Sequence, residues 1–431
     1  MKPALRRLCL LAWLLAAGGA GAVEGQVLDA RSGTPVAGAW LSSAGHTVRS
    51  DAKGRFDLPL PPDAAPPAPA AIAVRAPGYW RQQLAPPAGD GPLPIALQPV
   101  APKALYLSAW GIGDVRLRGE ALALIARSEL DALVIDVKGD SGVVPFRSSA
   151  HAQAGLGPQA PITVADMPAL MAQLRGRGLY LIARIVVFKD DGLAAAHPQW
   201  AVRDAQGRRW RDREGLSWID PFEVQAWQYS LALAEEAAAL GFDEIQFDYL
   251  RFPDAAGLQF SQADEPGTRV AAIAGYLDAA RERLARYNVL LAADVFGYIC
   301  WNEDDTGIGQ QLEALVPHVD VLSPMLYPSG FSFGIPGHRQ PVAAPREIVQ
   351  LSLQRALDRT GVAPRRLRPW LQAFRDYAFD HRVFGAAEIR AQIDAAEGLG
   401  TAGWMLWNAA NHYGDDGLKP RAQPPAASAP P

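Results

Sequence analysis

From Lys103 onward, short apolar segments alternate with longer segments that have the periodicity of amphipathic helices. Eight such steps can be counted, from KALYLSAW to TAGWMLWNA, and the helix of the last step is short or missing. Apolar strands that alternate with helices form a parallel sheet whose outer face is covered by those helices. The pattern therefore predicts an α/β fold, a (β/α)8 TIM barrel over residues 103–417.

A doubly wound open sheet is the structural alternative, and such sheets commonly carry a glycine fingerprint for a dinucleotide after the first strand. The corresponding turn reads WGIGDVRLRG, and Arg116 stands where the third glycine would be. The sequence therefore favours the closed barrel. We predict no dinucleotide site and no other cofactor.

Residues 23–100 are organised differently, with alternating apolar and polar residues between glycine-containing turns. Several short strands at this spacing predict a small all-β sandwich in front of the barrel. Residues 1–22 combine a basic start, an apolar segment and an Ala-Gly-Ala site, which is the pattern of a cleavable signal peptide. Residues 418–431 are rich in proline and alanine, and we expect this tail to be disordered.

Composition limits the partners and the location of the chain. The formal charge of −4 would become −7 after cleavage behind Ala22, because the signal carries three basic residues and no acidic one. Nucleic-acid binding needs a basic surface, so we predict no nucleic-acid partner. No later segment is apolar over a length that spans a bilayer. We expect a periplasmic or secreted protein without a transmembrane segment, and the oligomeric state stays open.

Polar residues interrupt the predicted strands near their carboxyl ends, where TIM barrels carry their active sites. In GFDEIQFDYLRFP, Gln246 and Asp248 share one face because side chains alternate along a strand, and this face should point to the barrel axis. Asp294 ends the next strand, and two such carboxyl groups could flank a glycosidic bond. Their repulsion would raise one pKa, so we predict Asp294 as proton donor and Asp248 as nucleophile or charge stabiliser. Asp136 and Glu303 are alternative acids.

Other residues near the predicted strand ends are expected to orient a sugar. They are Gln246, Arg184, Arg251, Trp301, Tyr327, Gln372, Trp407 and Asn408. Aromatic rings suit the apolar faces of sugar rings, and polar side chains hold the hydroxyl groups. In the alternative interpretation, Asp136 and Asp248 only neutralise Arg184 or Arg251 and stabilise the top of the barrel. Trp227, Trp370 and Trp404 are expected to be packing residues.

Two other kinds of hydrolytic site are disfavoured by the sequence. The seven histidines form no paired ligand motif, so no metal site is predicted. No Gly-x-Ser-x-Gly segment indicates a serine nucleophile.

Several motifs resemble a bacterial family of glycosyl hydrolase-like TIM-barrel proteins. They are VIDVKGDSGVV, ARIVVFKD, GFDEIQFDYLRFP, DVFGY, VDVLSPMLYPSG, RPWLQAF and GWMLWNA, which occur in order between Lys103 and Tyr413. The resemblance implies a barrel that acts on carbohydrate. DARSGTPVAGAW, SDAKGRFDL and APGYW resemble the carboxypeptidase regulatory-like domain, which implies a spacer or adhesive module over residues 23–100.

The fourth strand is also similar to that of chitinase-type barrels, which carry two aspartates and a glutamic acid at alternate positions. Here these positions hold Gln246, Asp248 and Leu250, so the acid position is apolar and substrate-assisted chemistry is not expected. Our hypothesis is an exported glycoside hydrolase that acts on a polysaccharide or a cell-envelope glycan. The alternatives are a non-catalytic carbohydrate-binding barrel and a metal-dependent deacetylase-type hydrolase.

Overall fold

The protein was analysed as a computed structural model that describes residues 22–59, 71–85 and 91–421. The predicted signal peptide, except Ala22, and the part of the predicted tail beyond Arg421 lie outside the described residues. Within them, an all-β unit precedes a closed parallel barrel with helices between its strands, which confirms the predicted fold class.

The all-β unit contains seven described strands in two sheets. They are β1 (Ala22–Asp29), β2 (Trp40–Ser43), β3 (His46–Arg49), β4 (Arg55–Pro59), β5 (Ile72–Arg75), β6 (Gln82–Leu84) and β7 (Leu93–Leu97). The sheets have the orders β4-β1-β7 and β3-β2-β5-β6. Alternation of buried and exposed residues along β1 and β4 supplies one side of a shared apolar core that includes Val27, Leu41 and Leu58.

The barrel contains eight parallel strands and closes by pairing of its last strand with its first. The strands are β8 (Lys103–Leu107), β9 (Ala132–Lys138), β10 (Tyr180–Val186), β11 (Glu244–Asp248), β12 (Leu290–Phe296), β13 (Val321–Met325), β14 (Trp370–Gln372) and β15 (Trp404–Trp407). Ile245 and Phe247 of β11 belong to the apolar core between strands and helices. The alternate residues of β11 therefore point to the barrel axis.

Ten described helices cover the barrel and its loops. They are α1 (Ala109–Gly113), α2 (Val115–Arg127), α3 (Ser149–Gln153), α4 (Met167–Gly176), α5 (Asp191–Ala196), α6 (Val224–Leu240), α7 (Pro266–Leu284), α8 (Leu312–Leu315), α9 (Pro345–Thr360) and α10 (Ala386–Gly398). Asp166 caps α4, and Gly241 ends α6 in the left-handed conformation with φ of 96°. Between β15 and Arg421 the structure contains no helix, as predicted. None of the helices in the described segments is long and apolar enough to cross a membrane.

The all-β unit packs against the amino ends of the barrel strands. Trp80 lies edge-to-face on Tyr180, the first residue of β10, with ring centroids 5.4 Å apart. Arg81 donates to Asp243 at 2.8 Å and to two backbone carbonyl oxygens. Trp40 donates its indole N–H to Asp320 at 2.9 Å. The unit therefore closes the barrel end that lies opposite the strand carboxyl ends.

Candidate active site

The strand register places the predicted polar residues in neighbouring layers of the barrel interior. Arg184 of β10 pairs with Gln246 of β11, and Gln246 in turn pairs with Ala292 of β12. Asp248 and Asp294 each lie two residues further along their strands, so they occupy corresponding positions on adjacent strands and point to the axis. The structure thus brings together the side chains that strand alternation predicted to face the axis.

Arg184 is the centre of a group that we call the mouth cluster, formed by Arg184, Asp136, Asp140, Asp248 and Asp294. Its Nη1 donates to Asp136 Oδ1 at 2.7 Å, and its Nη2 donates to Asp140 Oδ1 at 3.0 Å. Its Nε and Nη2 both donate to Asp248 Oδ2, at 2.9 and 2.6 Å. Asp294 Oδ2 lies 3.9 Å from Nε. One guanidinium therefore serves four carboxyl groups.

Asp248 sits at a strained point of the backbone. The next residue, Tyr249, has φ of 48° and donates its backbone N–H to Asp248 Oδ1 at 2.5 Å. A bulky residue in the left-handed region costs about 1 kcal/mol or more, and such strain clusters at functional sites. Together with Arg184, this contact gives Asp248 three N–H donors, an arrangement that stabilises a carboxylate.

Asp294 is fully buried below this layer. Its Oδ1 accepts the indole N–H of Trp370 at 2.7 Å, whereas its Oδ2 has no hydrogen-bond partner. Burial and then the nearby Asp248 carboxylate raise the pKa of Asp294 well above its usual value. The structure supports the prediction of a protonated acid, but a side chain without exposed surface cannot touch a substrate here. The predicted direct proton transfer from Asp294 is therefore corrected, and Trp370 is more than a packing residue.

Asp136 is the second buried acid of the mouth cluster. Its Oδ2 accepts the hydroxyl proton of Tyr106 at 2.6 Å. Burial raises its pKa to about 6, although Arg184 opposes the shift. Tyr106 stacks on Trp407 with centroids 4.0 Å apart, and the Arg184 guanidinium carbon lies 4.9 Å from the Trp407 ring centre. Trp407 is thus a wall of the cluster, half-buried at the end of β15.

Asp140 is a member of the mouth cluster that the sequence reasoning missed. It lies in the loop after β9, outside any periodic segment. The sequence signal was the glycine before it, because a Cβ on Gly139 would stand only 2.9 Å from Asp136 Oδ2. A glycine required by close packing beside a strand-end aspartate indicates that the following loop folds over the same site.

Two of the predicted sugar contacts are instead used within the protein. The Gln372 side chain accepts from the backbone N–H of Ser329 at 3.0 Å and donates to the Ser329 hydroxyl at 2.7 Å. Asn408 donates to the carbonyl oxygens of Ala373 and His412, both at 2.9 Å. These side chains hold mouth loops in place. Their predicted role in orienting a sugar is not supported by free polar atoms.

Gln246 and Trp301 also differ from simple sugar-contact residues. Gln246 is fully buried and donates to the Ser323 hydroxyl at 3.1 Å, while its Oε1 has no partner. Trp301 donates its indole N–H to Ser352 of α9 at 2.8 Å, so it packs on the outside of the barrel and away from the mouth cluster. The position of Trp301 in a loop after a barrel strand was therefore not enough to place its side chain at the mouth.

Arg251 and Tyr327 keep surfaces that a ligand could use. The guanidinium carbon of Arg251 lies 4.9 Å from the ring centre of Trp218 and 5.2 Å from that of Tyr249. No described carboxylate forms an ion pair with it. The Tyr327 hydroxyl is unbonded within the described chain, and burial raises its pKa, with Asp294 and Asp248 adding to the shift.

Exposed aromatic residues extend the mouth. Trp110 lies in α1 after β8, Phe333 and Tyr377 lie in loops after β13 and β14, and Tyr377 is 62% exposed. Tyr327 contacts Phe374 with centroids 5.6 Å apart, and Phe374 stacks on Tyr377 at 6.1 Å. A row of rings thus runs from the mouth cluster to the protein surface.

No group of three or more His, Cys, Asp or Glu side chains in the described segments has an arrangement that would hold a metal ion. The mouth cluster offers carboxyl groups around one guanidinium, beside aromatic surfaces. Such a set can place a negative charge and a proton on either side of a polar bond.

The barrel matches a known protein family. Residues 104–413 match a family described as "Putative glycosyl hydrolase domain", which confirms the resemblance found in the motifs. No curated protein sequence matches the chain.

Among solved structures, the PgaB (BpsB) glycoside hydrolase domain from Bordetella bronchiseptica aligns with a TM-score of 0.54 at 15% identity, over 73% of this chain and 95% of that one. A hypothetical protein from Ruminiclostridium thermocellum is 35% identical over 44% of this chain and 97% of that chain, with a TM-score of 0.40. A class V chitinase from Pseudomonas fluorescens Pf-5 is 14% identical over 73% and 96%, with a TM-score of 0.44. The likeness to the Bordetella domain shows a shared fold and transfers no residue role.

Proposed function

Since this chain belongs to the family described as "Putative glycosyl hydrolase domain", we propose that it hydrolyses glycosidic bonds of a polysaccharide outside the cytoplasm, such as a cell-envelope glycan. One observation carries the proposal. Asp248 and Asp294 occupy corresponding positions near the carboxyl ends of adjacent strands, where three N–H groups donate to Asp248 and burial raises the pKa of Asp294. Carboxyl groups held in different environments at the mouth of a barrel are typical of glycosidases.

Asp248 takes the role of the charged group that meets the sugar. Its Oδ2 is fixed by two N–H groups of Arg184, so its position does not depend on the substrate. Asp294 below it keeps a proton and acts as a positioning residue through Asp248 and Arg184. Arg251, Tyr327 and Trp407 offer the ring faces and polar atoms that a sugar chain needs.

The row of rings from Tyr327 to Tyr377 supports a polymeric substrate. A single sugar would cover the mouth cluster only, whereas Phe374 and Tyr377 lie further out. Exposed aromatic surface of this kind is typical of a binding site.

The test is release of reducing ends by the purified full-length chain from chitin, chitosan, xylan, peptidoglycan sacculi and a soluble β-glucan. The wild type should cleave at least one of them, and Asp248→Asn should cleave none. Asp304→Asn is the matched control, because Asp304 is an exposed aspartate in the mouth-side loop after β12. Binding without cleavage in the wild type would support the carbohydrate-binding alternative. Release of acetate that stops on chelation would support the deacetylase alternative.

Export rests on residues 1–22 and has its own experiment. Expression of the full chain in a Gram-negative host should yield a periplasmic protein whose first residue is Val23. A cytoplasmic protein that keeps Met1 would contradict export and would leave the proposed hydrolysis untouched.

A further inference from the structure

The four carboxyl groups of the mouth cluster differ in access to solvent. The side chain of Asp140 is 37% exposed and that of Asp248 is 9% exposed. The side chains of Asp136 and Asp294 are 3% and 0% exposed. Only Asp140 and Asp248 therefore present oxygen atoms that a substrate above the barrel can touch.

The two accessible groups are close to each other because they share one nitrogen atom. Arg184 Nη2 donates to Asp140 Oδ1 at 3.0 Å and to Asp248 Oδ2 at 2.6 Å, so these oxygens cannot be further apart than both distances together, 5.6 Å. Retaining glycosidases hold their two carboxyl groups about 5–5.5 Å apart, and inverting enzymes need about 6.5–9.5 Å to admit a water. For this pair of oxygens, the upper bound lies close to the separation found in retaining enzymes.

We propose, on the basis of the proposed function, that Asp140 is the proton donor to the departing sugar, that Asp248 is the nucleophile, and that the reaction retains anomeric configuration. Asp140 makes one hydrogen bond to a described residue, through Oδ1, and its Oδ2 has no partner among the described residues on a side chain that is 37% exposed. A glycan over the mouth can therefore reach this oxygen, while Arg184 holds the other oxygen of the same carboxyl group in place.

The reaction then balances in two steps. An Asp248 oxygen forms an ester bond to the anomeric carbon while the glycosidic carbon–oxygen bond breaks, and the leaving oxygen takes the electron pair and the Asp140 proton. A water next gives its proton to Asp140 and bonds to the anomeric carbon. The ester bond breaks, and Asp248 returns as a carboxylate.

The orphaned oxygen of Asp294 has a place in this sequence. When Asp248 becomes an ester it loses its negative charge, and Arg184 Nε loses its best acceptor. Asp294 Oδ2, buried, without a partner and 3.9 Å from Nε, lies next to this nitrogen, and loss of the Asp248 charge removes a repulsion that favours the proton of Asp294. The missing partner of Asp294 Oδ2 is a second observation, and it is independent of the solvent access of Asp140. Buried polar atoms without a partner are rare, and this role explains why Asp294 Oδ2 is one of them.

Leaving-group dependence tests the assignment. Full-length wild type, Asp140→Asn and the control Asp304→Asn are compared on 2,4-dinitrophenyl and phenyl glycosides of chitobiose, cellobiose and xylobiose, and on the polysaccharide that the wild type cleaves. Asp140→Asn should stay within about tenfold of the wild type on a dinitrophenyl glycoside, whose leaving group needs no proton. It should be about 10²–10⁴-fold slower on phenyl glycosides and polysaccharide. Azide should restore turnover and yield a glycosyl azide of unchanged configuration.

Each outcome overturns a different part of the assignment. An inverted product, observed by proton NMR, would overturn the retaining pair. Equal losses of Asp140→Asn on both leaving groups, or activity equal to that of Asp304→Asn, would overturn the proton donor alone while the hydrolase stands. A wild type without activity on every glycoside and polysaccharide would instead reject the proposed function.

Discussion

The two ends of β11 carry the same kind of side chain in opposite settings. Glu244, at the beginning of the strand, accepts from Arg368 Nη1 at both oxygens, at 2.7 and 2.8 Å, and from the Tyr180 hydroxyl at 3.1 Å. Asp248, at the end, shares Arg184 with three further carboxyl groups. One end of the barrel holds a matched ion pair, and the other holds a surplus of acid.

The difference separates charges that hold the barrel from charges that are available to a substrate. A buried pair is tolerated when every polar atom has a partner, and Trp80 of the all-β unit packs on Tyr180 beside this pair. At the mouth, Asp294 Oδ2 and Gln246 Oε1 lack partners and Tyr249 is strained. Unpaired buried groups and strain are tolerated where function needs them.

Removal of the Asp248 carboxylate from the mouth cluster should have the largest effect on activity. Asp248→Asn keeps the shape of the side chain, but its amide cannot act as a nucleophile. We expect kcat/KM on the cleaved glycan to fall by at least about 10⁴-fold, about 5 kcal/mol of transition-state stabilisation. Reducing-end assays of purified protein measure this. Glu244→Gln is the control at the other end of β11, and equal losses of activity per folded molecule in both variants would refute the comparison.

Breaking the matched pair should instead reduce stability. Glu244→Gln leaves Arg368 as a buried, unpaired charge, which should lower the free energy of unfolding by about 3–5 kcal/mol. Urea unfolding followed by tryptophan fluorescence measures the change. The double variant Glu244→Leu with Arg368→Met should recover most of the loss, because it removes both charges. A single variant as stable as the wild type would show that this pair does not hold the barrel.

The sequence predicted the barrel better than it predicted the mouth. Alternation of apolar strands with helices determines the fold, and side-chain alternation within β11 correctly placed Gln246 and Asp248 toward the axis. Loop residues have no such periodicity, so Asp140 was missed and Trp301 was misplaced. The sequence also did not predict how deeply Asp294 is buried, because residues from several other strands cover its side chain.

Proton uptake at the mouth should make stability depend on pH. Burial raises the pKa of Asp136 to about 6 from its ordinary value of 3.8, so the folded state holds more protons between these values. Its contribution to stability is complete below about pH 4 and is lost as pH rises through about 6, on the order of 3 kcal/mol. The buried acid Asp294 acts in the same direction. The difference in unfolding free energy between the wild type and Asp136→Asn isolates Asp136.

In Asp136→Asn, the amide oxygen can still accept from Arg184 while the amide nitrogen donates to the Tyr106 oxygen, so the local contacts survive. The pH profile of the variant should therefore be flatter between pH 4 and 6. Parallel profiles of the variant and the wild type would mean that Asp136 does not hold the proton. Glu244→Gln, at the beginning of β11, is the comparison variant, because both carboxylate oxygens of Glu244 already accept hydrogen bonds.

The smallest effect on activity is expected at the outer end of the row of rings, where it reaches the protein surface. Tyr377→Ala removes the outermost ring of the row that begins at Tyr327, so KM for a polysaccharide should rise about three- to tenfold, about 1 kcal/mol, at unchanged kcat. Short aryl glycosides do not reach this ring and should be cleaved as by the wild type. Leu351→Ala, an exposed apolar residue on α9, is the control. If Tyr377→Ala changes KM for short and long substrates alike, the mouth cluster acts without help from the row of rings.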